Sequence, residues 1–167
     1  MNIGDVCTRE VVLIHHAASV QEAAALMRER HVGTLLVTGA SPEGTQRVVG
    51  IVTDRDLAIE ALARALDPQT PVARLASANL AALPAGASID EAISVMRERG
   101  VRRLLVSAEG RELFGLVSLD DLLGALGHEV AELAHAVRKG VERETAEREP
   151  LPAAAPQKLQ IPLQAFA

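Results

Sequence analysis

Residues 19–37, SVQEAAALMRERHVGTLLV, lie without a gap over residues 88–106, SIDEAISVMRERGVRRLLV, with 11 identities in 19 positions at a shift of 69. A chain that spells one stretch twice has to fold one unit twice. Each unit of about 60 residues is too small to bury its own apolar faces well, so the two are expected to pack together on a shared interface. The correspondence resumes at Gly50 over Gly115, after four extra residues in the first copy, whose connecting loop reads TGASPEGTQR. Two related octets follow, GIVTDRDL at 50–57 and GLVSLDDL at 115–122.

Both copies share a local grammar. Ser19 with Glu22, and Ser88 with Glu91, form the S-x-x-E pattern that satisfies the free amides of a first helical turn. Val20, Ala23, Ala24 and Met27 then recur at helical spacing, as do Ile89, Ala92, Ile93 and Met96, which predicts one buried stripe per helix. The runs Leu35–Val37 and Val48–Val52, matched by Leu104–Val106 and Leu113–Val117, read as two short buried strands per copy. A second helix is expected over Leu57 to Leu66, and from Leu122 onward in the other copy. The segment around Asp67-Pro68-Gln69-Thr70-Pro71 marks the boundary, which places one repeat at 1–68 and the other at 69–127. Residues 128–149 read as a charged amphipathic helix interrupted at Gly140, and 150–167 as a Pro/Ala-rich extended tail.

Composition removes several functions. With 17 Lys+Arg against 22 Asp+Glu the net charge is −5, the wrong sign for a general nucleic-acid surface. Aromatic residues make up 1%, with neither Tyr nor Trp, so a base cannot be stacked on either. The single Cys7 excludes an internal disulfide framework. The N-terminus lacks a basic, apolar leader and no stretch is apolar enough to span a bilayer, so a cytoplasmic protein without membrane contact is expected.

The order helix, strand, strand, then G-h-h-[ST]-x-x-D-L opening a second helix resembles the cystathionine β-synthase-type (CBS) domain. The resemblance covers roughly residues 1–127 as two consecutive copies, the arrangement called a Bateman module. It implies an α/β fold of the α+β kind, two β-α-β-β-α repeats related by a pseudo-twofold axis, with clefts between them that hold adenosine nucleotides or S-adenosylmethionine. It also implies a regulatory module that signals to a partner protein, and pairing of two copies into a homodimer through apolar helices. In that family the motif hydroxyl approaches a phosphate and the aspartate accepts from ribose, which here selects Thr53 with Asp56, and Ser118 with Asp121. Both copies read Leu-Leu-Val where related domains commonly have Leu-Pro-Val, a departure that affects the turn into the strand.

The chemistry of these residues agrees with that assignment. A hydroxyl at a strand-to-helix junction sits beside unpaired amides at the positive end of the helix dipole, where an anion is welcome. An ionised carboxylate three residues on can only accept, which suits a diol and suits a phosphate badly. T-x-x-D is equally a serviceable helix start without any ligand, and both roles can hold together. Arg55 lies in the first octet, and Arg102 and Arg103 precede the second copy's central strand, with Arg103 favoured by strand alternation. The first copy has Gly33 and Thr34 there, so its equivalent cleft is poorer in charge. Adenine is expected between aliphatic side chains, Ile14 with Val32 or Leu83 with Val101.

Other chemistry is weakly represented. Cys7, His15 and His16 match no closed zinc pattern, and Glu132 with His135, beside His128, is an acid–imidazole pair that needs further carboxylates to hold iron. No activated nucleophile, phosphate loop or dinucleotide fingerprint is present. No enzyme and no obligatory cofactor are predicted. The rival reading is a ligand-free dimerisation scaffold acting through the paired repeats and residues 128–167.

Overall fold

The structure, a computed structural model, describes residues 1–41, 44–108 and 112–148; the tail expected at 150–167 lies outside the described residues. The chain divides into two compact units, Met1–Leu126 and a second that begins at Gly127. Both repeats lie in the first, apart from the end of the second repeat's last helix, which runs on into the second unit.

The first repeat comprises β1 (Leu13–His15), α2 (Val20–Arg30), β2 (Thr34–Ala40), β3 (Gln46–Thr53) and a helical turn α3 (Asp54–Asp56) that continues as a π-helical turn over Leu57–Leu62. A short helix α1 (Ile3–Val6) precedes them. The second repeat comprises β4 (Ala82–Pro84), α4 (Ile89–Arg99), β5 (Arg103–Ser107), β6 (Leu113–Ser118) and α5 (Leu119–Glu147). Each repeat forms a three-stranded sheet in which the first strand pairs parallel and the third antiparallel to the central one. Even the irregularity repeats: the register slips between Val37 and Thr38, and again between Val106 and Ser107.

These elements form for the reasons the sequence states. Ser19 and Ser88 cap α2 and α4 with complete capping boxes, and Val20, Ala23 and Met27, like Ile89, Ala92 and Met96, are buried. Ala24 is exposed and Ile93 half-buried, so the stripe is narrower than the periodicity implied. Helix α2 ends at His31 and α4 at Gly100, both left-handed, with φ of 53° and 64°. The strands reach further than expected, since β2 runs through Ala40 and β3 starts at Gln46, inside the segment read as loop. Helix α5 is continuous through Gly140, because one helical glycine costs only about 1 kcal/mol.

The segments that precede each repeat are exchanged. Residues 2–8 pack on the second sheet: Ile3 is fully buried in the core with Ala92, Met96 and Val106, and Thr8 forms an antiparallel bridge with Leu116 through two 2.9 Å hydrogen bonds. Residues 71–77, shifted by the same 69, pack on the first sheet: Val72 is fully buried with Ala23, Met27 and Val37, and Ser77 bridges Ile51. This exchange explains the glycine that opens each octet. A Cβ on Gly115 would stand 2.6 Å from the Thr8 carbonyl oxygen, and one on Gly50 would stand 3.0 Å from the Ala76 methyl and 3.2 Å from the Ser77 oxygen.

Candidate nucleotide-binding clefts

Side chains on the two faces of each central strand point to different places. Leu35 and Val37, and Leu104 and Val106, enter the core of their own repeat. Leu36 and Leu105 instead line two clefts, Leu36 one of about 220 Å³ and Leu105 one of about 270 Å³, near the lower end of small-molecule sites. The carboxylate-bearing octets line these clefts, and the seam is not filled solid by aliphatic groups.

Each cleft combines one repeat's octet with the other repeat's strand entrance. The larger is lined by Thr53, Arg55 and Asp56 together with Val101, Arg102 and Arg103. Its counterpart is lined by Ser118 and Asp121 with Val32, Gly33 and Thr34, and Arg103 reaches this one as well. Ile14 and Leu83 are a correction: neither lines a cleft. Ile14 is buried in the first repeat's core and Leu83 packs against the second's, while the residues that reach the clefts, Val11–Val12 and Leu80–Ala81, come immediately before these strands.

The octets form tight boxes. The Thr53 hydroxyl donates to Asp56 Oδ2 at 2.7 Å, the Thr53 N–H donates to the same oxygen at 2.8 Å, and the Asp56 N–H donates back to Thr53 Oγ1 at 3.2 Å. Ser118 and Asp121 repeat the arrangement at 2.7, 2.7 and 3.1 Å. The cap therefore occupies one carboxylate oxygen only. Oδ1 of each aspartate makes no protein hydrogen bond among the described residues, which leaves an acceptor beside each cap.

Charge separates the two clefts. Arg55, Arg102 and Arg103 outnumber Asp56 in the first, and Asn79 completes its polar wall. In the second, Glu10 stands at the position equivalent to Asn79, and Gly33 and Thr34 replace the arginine pair, so Glu10 and Asp121 face only the shared Arg103. Arg103 is half-buried while Arg55 and Arg102 are exposed. Reading along the chain missed Asn79, Glu10, Ser77 and Thr8. They precede the motifs and reach the clefts only through the exchanged segments, although the offset of 69 that relates 8 to 77 and 10 to 79 was available.

A third hollow of about 840 Å³ is lined by neither octet; its walls include Arg47 and Glu112 at equivalent positions of the two repeats. No three His, Cys, Asp or Glu side chains gather in a metal-holding group among the described residues, so Cys7, His15 and His16, and likewise His128, Glu132 and His135, do not form one. No described helix is long and apolar enough to cross a membrane.

Comparison with known proteins bears on these clefts. The CBS domain model matches residues 3–62 and 72–128. Hypoxic response protein 1 of Mycobacterium tuberculosis is 35% identical over 135 residues, which is 80% of this chain and 91% of that protein. Its crystal structure, with two coordinated zinc ions, has a TM-score of 0.59 at 34% identity, covering 74% of this chain and 97% of the other. A CBS domain protein from Pyrobaculum aerophilum complexed with AMP shares the fold at a TM-score of 0.62 and 23% identity, over 72% of this chain and 89% of that one. A CBS domain pair in complex with 5′-methylthioadenosine and S-adenosyl-L-methionine does so at 0.64 and 20%, over 77% and 98%.

Proposed function

Because this chain belongs to the CBS domain family, as a tandem pair, we propose that it senses an adenosine-containing ligand in the cleft walled by Thr53, Asp56 and the three arginines, and signals its presence to a partner protein. The pair is a regulatory module and not an enzyme. The observation that carries the reading is the convergence of Arg55, Arg102 and Arg103 on the cleft that also holds the Asp56 carboxylate.

Asp56 Oδ1 accepts from the ribose hydroxyls while Oδ2 maintains the cap, so ligand and cap use different atoms of one side chain. The guanidinium groups grip the phosphates, which need donors that the capped Thr53 hydroxyl no longer supplies. Adenine lies between Val101 and the Leu80–Ala81 segment. Such a ligand touches both repeats at once, and it acts by favouring the relative packing of the repeats to which it binds more tightly. The solved complexes with AMP and with S-adenosyl-L-methionine support an adenosine ligand for this fold; the excess of positive charge here favours a phosphate-bearing one. A cytoplasmic location and a homodimer complete the proposal.

Isothermal titration with AMP, ATP and S-adenosylmethionine tests it. A phosphate-bearing nucleotide is expected to bind at one site per chain. Asp56→Glu is the informative variant, because Glu serves the same capping box at Ser19 and Ser88 but carries its carboxylate one methylene further. The melting temperature should hold while affinity falls about 10-fold or more, equivalent to about 1.4 kcal/mol. Asp121→Glu should change this binding little. Absence of heat with all three ligands up to millimolar concentration would overturn the reading.

A further inference from the structure

Helix α5 carries an apolar face that none of the described residues covers. Leu126, Val130, Leu133 and Val137 recur at alternating spacings of four and three and are 40, 65, 67 and 67% exposed, and Val141 is 61% exposed. Every residue from Leu126 to Arg148 except Gly140 is exposed. Alternation of three and four is the pattern of helices that wind around one another. A contiguous exposed apolar stripe of this length marks an interaction surface. Leu133 to Val141 lies beyond the residues matched by the CBS domain model, which end at 128.

The charges beside the stripe identify what covers it. One flank carries Glu129, Ala136 and Arg143, and the other Gly127, Ala134, Val141 and Arg148. Parallel pairing with a second copy would set Arg143 beside Arg148 of that copy and stack Glu144 on Glu144, both like-charge contacts. Antiparallel pairing sets Glu129 beside Arg143 of the second copy, twice by symmetry, and interleaves Leu133 with Val137 about a dyad near residue 135. The small Gly127, Ala134 and Gly140 then let the helices approach. Arg143 is held in its own helix only by an exposed 3.9 Å contact with Glu147, which is weak enough to be given up.

We infer that α5 beyond Leu126 pairs antiparallel with the same helix of a second copy of this chain. This needs no ligand and so stands apart from the ligand-sensing reading, but it names the surface through which the homodimer proposed above forms. Covering the five apolar side chains on both helices buries on the order of 1,000 Å², close to the lower bound for specific interfaces, so a reversible dimer of roughly micromolar affinity is expected.

Sedimentation equilibrium of the full chain across about 1–100 μM tests the pairing. The wild type should show a monomer–dimer equilibrium, and Leu133→Glu with Val137→Glu should raise the dissociation constant by about 100-fold or more. Both substitutions lie outside the Met1–Leu126 unit, so an unchanged melting temperature for that unit shows the variant is folded. Glu129→Arg and Arg143→Glu should each weaken the dimer by several-fold, and the two combined should restore it. A wild type monomeric throughout, a partner helix supplied only by another protein, or a Leu133/Val137 variant that dimerises as before would overturn the inference; failure of the charge exchange to restore dimerisation would overturn the antiparallel orientation.

Discussion

Glu22 and Glu91 hold their helices by the same two bonds. Each carboxylate accepts from the backbone N–H of its capping serine at 2.7 Å and from that serine's hydroxyl at 2.8 Å. Those bonds, the backbone one foremost, pull both carboxyls below the ordinary glutamate value of 4.5. A carboxyl depressed by folding contributes stability that is fully present above its unfolded value and is lost as pH falls through its folded one. The caps of α2 and α4 should therefore weaken as pH drops below about 4.5. Glutamine at both positions can keep the box without titrating. Melting temperatures measured from neutral pH downward should fall less steeply below that point for the Glu22→Gln, Glu91→Gln variant than for the wild type; parallel curves would refute the assignment.

Among the elements, the exchanged segments tie the repeats together. Ile3 belongs to the second core and Val72 to the first, so neither repeat has a complete core without chain contributed from before the other's first strand. The octet glycines are where this exchange is tightest. Gly115→Ala would drive a methyl group into the backbone oxygen of Thr8, whereas Gly50→Ala meets first the Ala76 methyl, at a longer distance. Overpacking of this kind costs about 1–3 kcal/mol, and urea denaturation should show the larger loss for Gly115→Ala. An equal or reversed order would mean that the 2–8 segment yields more readily than its bridge to Leu116 implies. Helix α5 also departs from the sequence expectation: it runs unbroken through Gly140, which carries the exposed apolar stripe of a charged segment from Leu126 to Val141.

For the whole molecule, the consequence of repetition is two equivalent clefts, and the consequence of divergence is that they differ in charge. Arg55, Arg102 and Asn79 serve one cleft alone and Arg103 reaches both, while Gly33, Thr34 and Glu10 stand in the other where the first has Arg102, Arg103 and Asn79. An anionic ligand is expected in the first alone. Glu10→Asn with Thr34→Arg supplies the second cleft with counterparts of Asn79 and Arg103 beside the shared Arg103, and titration with the same nucleotide should then approach two sites per chain. Stoichiometry that stays at one would show that charge is not what separates the clefts.

The duplicated fold, the capping boxes, the core stripes and the motif residues Thr53, Asp56, Ser118 and Asp121 were legible along the chain, because each depends on spacings of a few residues that repeat at a shift of 69 or 65. The arginine excess was legible too, though not the octet it faces. Only the tertiary structure joins Arg102 and Arg103 to Thr53 and Asp56, withdraws Ile14 and Leu83 into the cores, and brings Asn79 and Glu10 to the clefts. Periodicity reports which side of a strand or helix is buried; it is silent on which repeat does the burying. In this chain the exchange of the leading segments across the pseudo-twofold axis decides that.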